Sequence, residues 1–242
     1  MVFPDIKLKG KQEEMLTGIR DDWNVLAKFV GGISRELEEG ELEWVQSRAR
    51  VALGCLIDRL LLLASGSILS LGDDNLPSSF SSTRSAMEVS ANVAYLLYIL
   101  ELKIPLEERI EMMNNVFLQT RGTSRPRSKA VTKDISIMTV IDIADGFWKS
   151  VSKEAGWKGE PIGFRVEYET LCNFDHPNFD SHLSVGSFKE ENGKVTWHAH
   201  TEGEITEAMS AHVLMPLILT LGMARMSSSR IVRVIDNLAS DK

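Results

Sequence analysis

Apolar residues recur at helical spacing along most of the chain, which predicts long helices separated by short polar segments. In Lys11–Leu37 they fall three or four residues apart, as in an amphipathic helix. Glu43–Leu71 and Ser82–Leu100 are apolar around most of their circumference, which predicts central helices that neighbouring elements must cover. We expect the fold to be built around Ser82–Leu100.

Four further segments have helical periodicity. Their predicted ranges are Leu106–Gln119, Asp134–Ser152, Phe164–His176 and Glu204–Leu238, the last bent at Pro216. Pro105 is expected to open the first of these helices, and Pro177 to end the third, because the residue before a proline disfavours helical geometry. The serines around Phe80 are expected to cap the central helix.

One segment, Ser187–His198, has β character. Its centre is Asn192-Gly193, the strongest short signal for a hairpin turn. A two-residue turn sets the register, with Phe188 opposite Trp197. The predicted fold is therefore mainly all-α: one domain over residues 1–242, a helical bundle of about seven helices with one small β-hairpin near residues 187–198.

Composition places the chain among globular proteins. Of its 242 residues, 43% are hydrophobic and 25% are charged, which suffices for a sizeable core. The net charge of −7 argues against attraction of the whole surface to nucleic acid or anionic membrane.

Neither of the two most hydrophobic segments is expected to cross a membrane. Val51–Leu71 is interrupted by Asp58 and Arg59, and Val213–Met226 is short and contains a proline. The N-terminus has no apolar core of the signal-peptide type. Both cysteines, Cys55 and Cys172, lie in apolar contexts and are expected to be reduced, buried thiols. These features predict a cytoplasmic protein.

A narrow polar stripe runs along the predicted central helix. Arg84, Glu88 and Asn92 follow one another at four-residue spacing, with Tyr95 close beside them. Two interpretations are open: the stripe is the solvent face of the helix, or it lines a polar pocket.

A second polar face is predicted on Phe164–His176. Tyr168, Cys172 and His176 are four residues apart, and His176 stands at the helix C-terminus, where the dipole favours its protonated form. Such a histidine is suited to proton transfer near neutral pH. The alternative is a histidine that only caps the helix.

The two polar faces together resemble a family of bacterial helical proteins classified only as a domain of unknown function. The resemblance rests on Arg-x-x-x-Glu at Arg84 and Glu88 and on Tyr-x-x-Leu-x-x-x-x-His from Tyr168 to His176, and it spans about half the chain. It implies that these four side chains converge in one polar pocket inside the bundle.

Proteins of this shape also resemble the HEPN superfamily of helical RNases and nucleotide-binding proteins. That superfamily has an arginine followed a few residues later by a histidine on one helix. Here the nearest arginine before His176 is Arg165, so an RNase would need Arg84 to bind the phosphate from another helix.

A cationic segment and a group of histidines are the other candidates for chemistry. The cationic segment contains no acidic residue, and its basic residues are Arg121, Arg125, Arg127, Lys129 and Lys133. Two interpretations are open: the segment contacts an anion or phosphate, or it is a solvated connector.

All five histidines lie in the last third of the chain, and Asp175 and Asp180 flank the first two. No helical metal-ligand spacing is present among these residues, so we predict neither a metal site nor a cofactor. The histidines are His176, His182, His198, His200 and His212.

The sequence therefore predicts a protein whose buried polar pocket binds a small polar or anionic ligand or serves regulation. The first alternative is a HEPN-like RNase or phosphodiesterase, with RNA a less favoured partner because of the acidic charge. The second is a metal-dependent enzyme at the histidines, and a homo-oligomer is an open expectation. The candidate catalytic residues are His176, Arg84, Glu88 and Tyr168, and the candidate ligand-binding residues are Asn92, Tyr95, Arg125 and Arg127.

Overall fold

The computed structural model of the chain describes residues 1–8, 10–117, 136–158, 161–175, 186–191, 193–199 and 207–240. These ranges form helices with one β-hairpin, so the predicted mainly all-α fold is confirmed. The elements are α1 (Lys11–Gly31), α2 (Glu41–Gly72), α3 (Leu76–Glu101), α4 (Leu106–Phe117), α5 (Ile137–Glu154), α6 (Phe164–Asp175), β1 (Gly186–Glu191), β2 (Lys194–Ala199) and α7 (Glu207–Ser240).

Helix α3 is the central element, as its apolar circumference predicts. It packs against α2, α4, α5, α6 and α7, and Met87, Val93 and Leu96 are fully buried. A helix that is apolar on nearly every side is stable in water only when neighbours enclose it, and five helices do so here.

Small hydroxyl residues line the contact between α2 and α3. Ser67, Ser79 and Thr83 are fully buried. Ser79 Oγ donates to the carbonyl of Ser67 at 2.8 Å, and the hydroxyl oxygens of Ser67 and Thr83 are 2.5 Å apart. Their small volume lets the two helices approach closely, while each buried hydroxyl keeps a hydrogen-bond partner.

Two predicted helix boundaries are wrong. Helix α1 ends at Gly31 and not at Leu37, because two consecutive glycines disfavour further helix and the amide of Gly32 bonds back to Phe29 O at 3.1 Å. Helix α3 begins at Leu76, capped by the side chain of Asn75, so the serines around Phe80 lie inside the helix.

The remaining helices match the predicted segments, with shifted ends. Helix α5 begins at Ile137, after Ser136, whose side chain accepts a hydrogen bond from the amide of Thr139. Helix α7 continues through Pro216. The predicted ends of other helices at Gln119, His176 and Glu204 lie outside the described residues.

The hairpin has the predicted register. Strand β1 pairs antiparallel with β2, and Phe188 is opposite Trp197. Gly193 in the turn has φ +74°, a backbone conformation that glycine adopts without steric cost.

Helix α2 is less covered than its composition suggests. Leu62 and Leu69 are exposed, and so is Cys55, which corrects its prediction as a buried thiol. The apolar circumference of α2 is wider than the surface its neighbours cover. Cys172 is partly buried, and both cysteines are free thiols.

Two helices are long and apolar enough to span a membrane by length and composition. They are Leu42–Gly72 and Met209–Leu238, with 44% and 56% of their most apolar windows buried inside the fold. Core helices of water-soluble proteins meet the same criterion, so the predicted absence of membrane contact stays a prediction.

Candidate functional site

Arg84 and Glu88 lie one turn apart on α3 and pair with each other. Arg84 Nε is 3.3 Å from Glu88 Oε1. A second carboxylate reaches the same guanidinium from α6, where Asp175 Oδ2 contacts Arg84 Nη1. Arg84 is therefore held between two carboxylates that come from different helices.

Helix α6 contributes the other half of this cluster. Tyr168, Cys172 and Asp175 stand at positions i, i+4 and i+7, which places them on one face of the helix. The Tyr168 hydroxyl donates a hydrogen bond to Glu88 Oε1 at 2.9 Å. We call Arg84, Glu88, Tyr168 and Asp175 the Arg84 cluster.

Aromatic packing holds α6 in this position. The ring of Phe174 stacks on Phe80 of α3, with ring centroids 4.4 Å apart and planes 11° apart. The ring of Phe174 also contacts the ring of His212 in α7, with centroids 5.5 Å apart. Phe164 and Leu171 are fully buried beneath the helix. The apolar face of α6 thus fixes where its polar face meets α3.

The ionisation of Tyr168 and Arg84 is set by this environment. Burial raises the pKa of Tyr168, and the hydrogen bond to the Glu88 carboxylate raises it further. Burial alone would lower the pKa of Arg84, but the charges of Asp175 and Glu88 outweigh it and raise that pKa. The phenol is therefore a hydrogen-bond donor at neutral pH, and the guanidinium is a permanent cation.

Cys172 lies beside the cluster but is not activated as a nucleophile. Burial raises the pKa of its thiol, and the nearby Arg84 charge does not reverse this effect. A reactive cysteine needs a lowered pKa, since the thiolate is the attacking form.

The Arg84 cluster is partly exposed to solvent. The side chains of Arg84, Glu88 and Asp175 are 26%, 31% and 24% exposed. The contacts among Arg84, Glu88 and Tyr168 are those that the two motifs predict. Tyr168 is buried, but the charged groups border the surface and do not fill a closed interior pocket. With one guanidinium and two carboxylates, the cluster carries a local negative charge.

Two of the predicted ligand-binding residues contact groups other than the side chains of the Arg84 cluster. Asn92 donates from Nδ2 to the backbone oxygen of Glu88 at 2.7 Å, one turn back along α3. Tyr95 is buried in the core, where its ring packs 5.8 Å from that of Tyr98. The predicted polar stripe therefore ends at Asn92, because the next turn of α3 faces the hydrophobic core.

Several predicted site residues lie outside the part of the chain that the structure describes. They are His176, Arg125, Arg127 and the rest of the cationic segment, together with His182 and His200. Of the other histidines, His198 lies on β2, 3.0 Å from Thr196 Oγ1, and His212 lies on α7. Among the described residues no group of His, Cys, Asp and Glu is placed to hold a metal ion.

Asp175 is the member of the cluster that the sequence motif does not single out. Its position in the sequence predicts only a carboxylate that flanks two of the histidines. Four-residue steps from Tyr168 lead to Cys172 and His176, whereas the i, i+4, i+7 pattern of a helix face leads to Asp175. The heptad spacing is the signal that identifies it.

Comparison of the chain with protein-family models, with curated protein sequences and with solved structures finds no match. The class of protein is therefore set by its fold, a mainly helical bundle with a polar cluster between α3 and α6. Membership of the domain-of-unknown-function family and HEPN-like character stay predictions.

Proposed function

We propose that this protein binds a small polar ligand at the Arg84 cluster. The observation that carries the proposal is the convergence on Glu88 Oε1 of donors from two helices, Arg84 Nε at 3.3 Å and Tyr168 Oη at 2.9 Å. Charged and hydrogen-bonding groups that meet at a partly exposed junction of helices are typical of ligand sites.

The charge balance favours a ligand that brings hydrogen-bond donors. The guanidinium of Arg84 is engaged by both Glu88 and Asp175, so an anion would have to displace a carboxylate. A ligand amine or guanidine would instead be attracted by the surplus negative charge. Within the predicted class of small polar or anionic ligands, the cluster therefore suits a polar cation.

Isothermal titration calorimetry with agmatine, putrescine, acetate and inorganic phosphate tests this proposal. We expect agmatine to bind, and the Glu88→Gln variant to bind it about tenfold more weakly, because one charge-assisted hydrogen bond is lost. Phosphate is expected to give no heat of binding.

Glu101→Gln is the matched control. Glu101 also lies on α3, its side chain is 35% exposed, and it pairs with Arg230 Nε at 2.6 Å. Circular dichroism establishes that both variants are folded. Equal weakening by the two variants, or binding of phosphate but not of agmatine, would refute the proposed site.

A second candidate function is an RNase or phosphodiesterase of HEPN-like character. The ion pair between Arg84 and Asp175 favours it, because His176 is the next residue in the sequence. In this proposal the phosphate displaces a carboxylate from Arg84 and binds its guanidinium, and His176 transfers the proton.

Incubation of the purified protein with a mixed-sequence RNA tests this second candidate. Cleavage that is lost in His176→Ala and retained in His212→Ala would support it. Intact RNA after incubation with the folded wild-type protein would exclude it.

A further inference from the structure

A cavity lies between the end of α5 and the start of α6. Its volume is about 610 Å³, within the range of sites that bind small molecules. Its walls are formed by Lys149, Ser152, Lys153, Trp157, Pro161, Gly163 and Val166.

The backbone fixes one wall of this cavity. Helix α5 ends in a Schellman motif, in which Gly156 N bonds to Lys153 O and Trp157 N bonds to Ser152 O, both at 3.0 Å. Gly156 has φ +73°, which glycine adopts without steric cost. The motif therefore fixes the backbone at Trp157, four residues after Lys153.

The opposite wall is held by contacts between α5 and the start of α6. Asp145 Oδ1 accepts a hydrogen bond from the amide of Arg165 at 3.2 Å, and so caps α6 from the neighbouring helix. The indole nitrogen of Trp148 donates to Ile162 O at 3.1 Å. Hydrogen bonds thus hold the backbone on both sides of the cavity, which favours a low entropic cost of binding.

The lining combines cations with an exposed aromatic ring. Lys149 and Lys153 are one helical turn apart, and Lys149 Nζ is 2.6 Å from Asp145 Oδ2. Lys153 makes no ion pair within the described ranges of the chain. Trp157 is 62% exposed and Val166 is 60% exposed, which leaves an apolar surface in water next to a cation.

From this juxtaposition we infer that the cavity is a binding site for a small planar aromatic anion. The ring of the ligand would pack on the Trp157 indole and on Val166, and the anionic group of the ligand would pair with Lys153. A basic residue at a helix C-terminus also complements the helix dipole, but that role does not require an exposed tryptophan beside it.

This site is separate from the Arg84 cluster. Val166 lines the cavity and Tyr168 belongs to the cluster, but residues two apart on a helix do not face the same side. Val166 is 60% exposed, whereas Tyr168 is only 4% exposed. The two sites prefer ligands of opposite charge, so the failure of one proposal does not affect the other.

Nuclear magnetic resonance of the full chain tests the inference through the indole N–H signal of Trp157, assigned with Trp157→Phe. The probes are adenosine monophosphate and indole-3-carboxylate, two sources of the same chemistry. Adenosine and indole supply the ring alone, and inorganic phosphate supplies the anion alone. We expect at least one aromatic anion to shift the Trp157 signal at a concentration at which its separate parts do not.

Lys153→Gln and Lys158→Gln form a matched pair of charge variants. Lys158 is exposed nearby but does not line the cavity. We expect Lys153→Gln to weaken binding of the effective probe at least fivefold and Lys158→Gln to leave it unchanged. The inference is overturned if neither aromatic anion shifts the Trp157 signal, if the uncharged rings bind equally well, or if both variants weaken binding equally.

Discussion

Glu88 joins two helices through a single oxygen atom. Its Oε1 accepts hydrogen bonds from Arg84 on its own helix and from Tyr168 on α6. A hydrogen bond to a charged acceptor contributes more to stability than one between neutral groups. Partial exposure reduces this contribution, because water competes for the same carboxylate.

Tyr168→Phe removes the hydroxyl and keeps the ring. We expect the free energy of unfolding to fall by about 1 kcal/mol, since Glu88 loses one donor. Urea denaturation followed by circular dichroism measures the change. Tyr98→Phe, at an exposed position of α3, is the control and is expected to have almost no effect. An equal loss in the two variants would show that the Tyr168 hydrogen bond contributes nothing.

Glu167 makes stability depend on pH in the opposite sense to most carboxylates. Burial raises its pKa, and the charge of His212 opposes this only in part. An acid with a raised pKa in the folded state favours folding fully below its unfolded pKa of about 4.3. That contribution is lost as the pH rises through the folded pKa.

Glu167→Gln cannot ionise, so we expect it to be more stable than the wild type at pH 7. The difference in free energy of unfolding should shrink as the pH is lowered towards 4, and urea titrations across this range measure it. Glu169→Gln, on the exposed face of the same helix, is expected to change stability by less than about 0.5 kcal/mol. If the difference in free energy of unfolding between wild type and Glu167→Gln stays constant with pH, the pKa of Glu167 is not raised by folding.

At the scale of elements, the end of α5 depends on the backbone conformation of Gly156. Gly146 and Gly156 both have open space around the position of an added methyl group. They differ in backbone conformation, because Gly146 is inside α5 whereas Gly156 has φ +73°. The same substitution at the two sites therefore separates backbone strain from steric crowding.

Gly156→Ala is expected to lower the free energy of unfolding by about 1 kcal/mol, because alanine disfavours positive φ. Gly146→Ala is expected to raise it by about 0.5 kcal/mol, since alanine has the higher helix propensity. Thermal and urea unfolding measure both effects. Changes of the same sign would show that the turn does not constrain Gly156.

At the scale of the whole molecule, we expect most of the stability to come from the packing around α3. Leu96 on α3 is fully buried, whereas Leu62 on α2 is 61% exposed. We expect Leu96→Ala to cost about 3 kcal/mol of unfolding free energy and Leu62→Ala less than about 0.5 kcal/mol. Urea titration of the two variants compares them directly. A large loss at Leu62 would indicate that another molecule covers this face of α2.

Vesicle flotation tests the predicted absence of membrane contact. We expect the protein to stay with the dense fraction when mixed with vesicles of phosphatidylcholine and phosphatidylserine. About half of each apolar window is already buried, and the net charge of −7 is repelled by an anionic surface. Recovery of the protein in the floating fraction would contradict this prediction.

Much of the candidate site follows from local spacing, but its assembly does not. Arg84 and Glu88 are one turn apart on α3, so their contact is predictable from sequence. The bond between Tyr168 and Glu88 joins residues 80 positions apart. The motif resemblance pointed to that convergence, whereas the contact of Asp175 with Arg84 depends on how α6 is rotated against α3.

The sequence by itself determined the order of the helices and the register of the hairpin. The hydrophobic periodicity and the turn residues act over a few neighbouring positions, so their effect does not depend on which distant helices pack together. The tertiary structure alone decided that Tyr95 is in the core, that Leu62 is in water, and that Trp157 borders a cavity. Whether an apolar or polar side chain is covered depends on which distant helix packs against it, and that is settled only when all the helices are assembled.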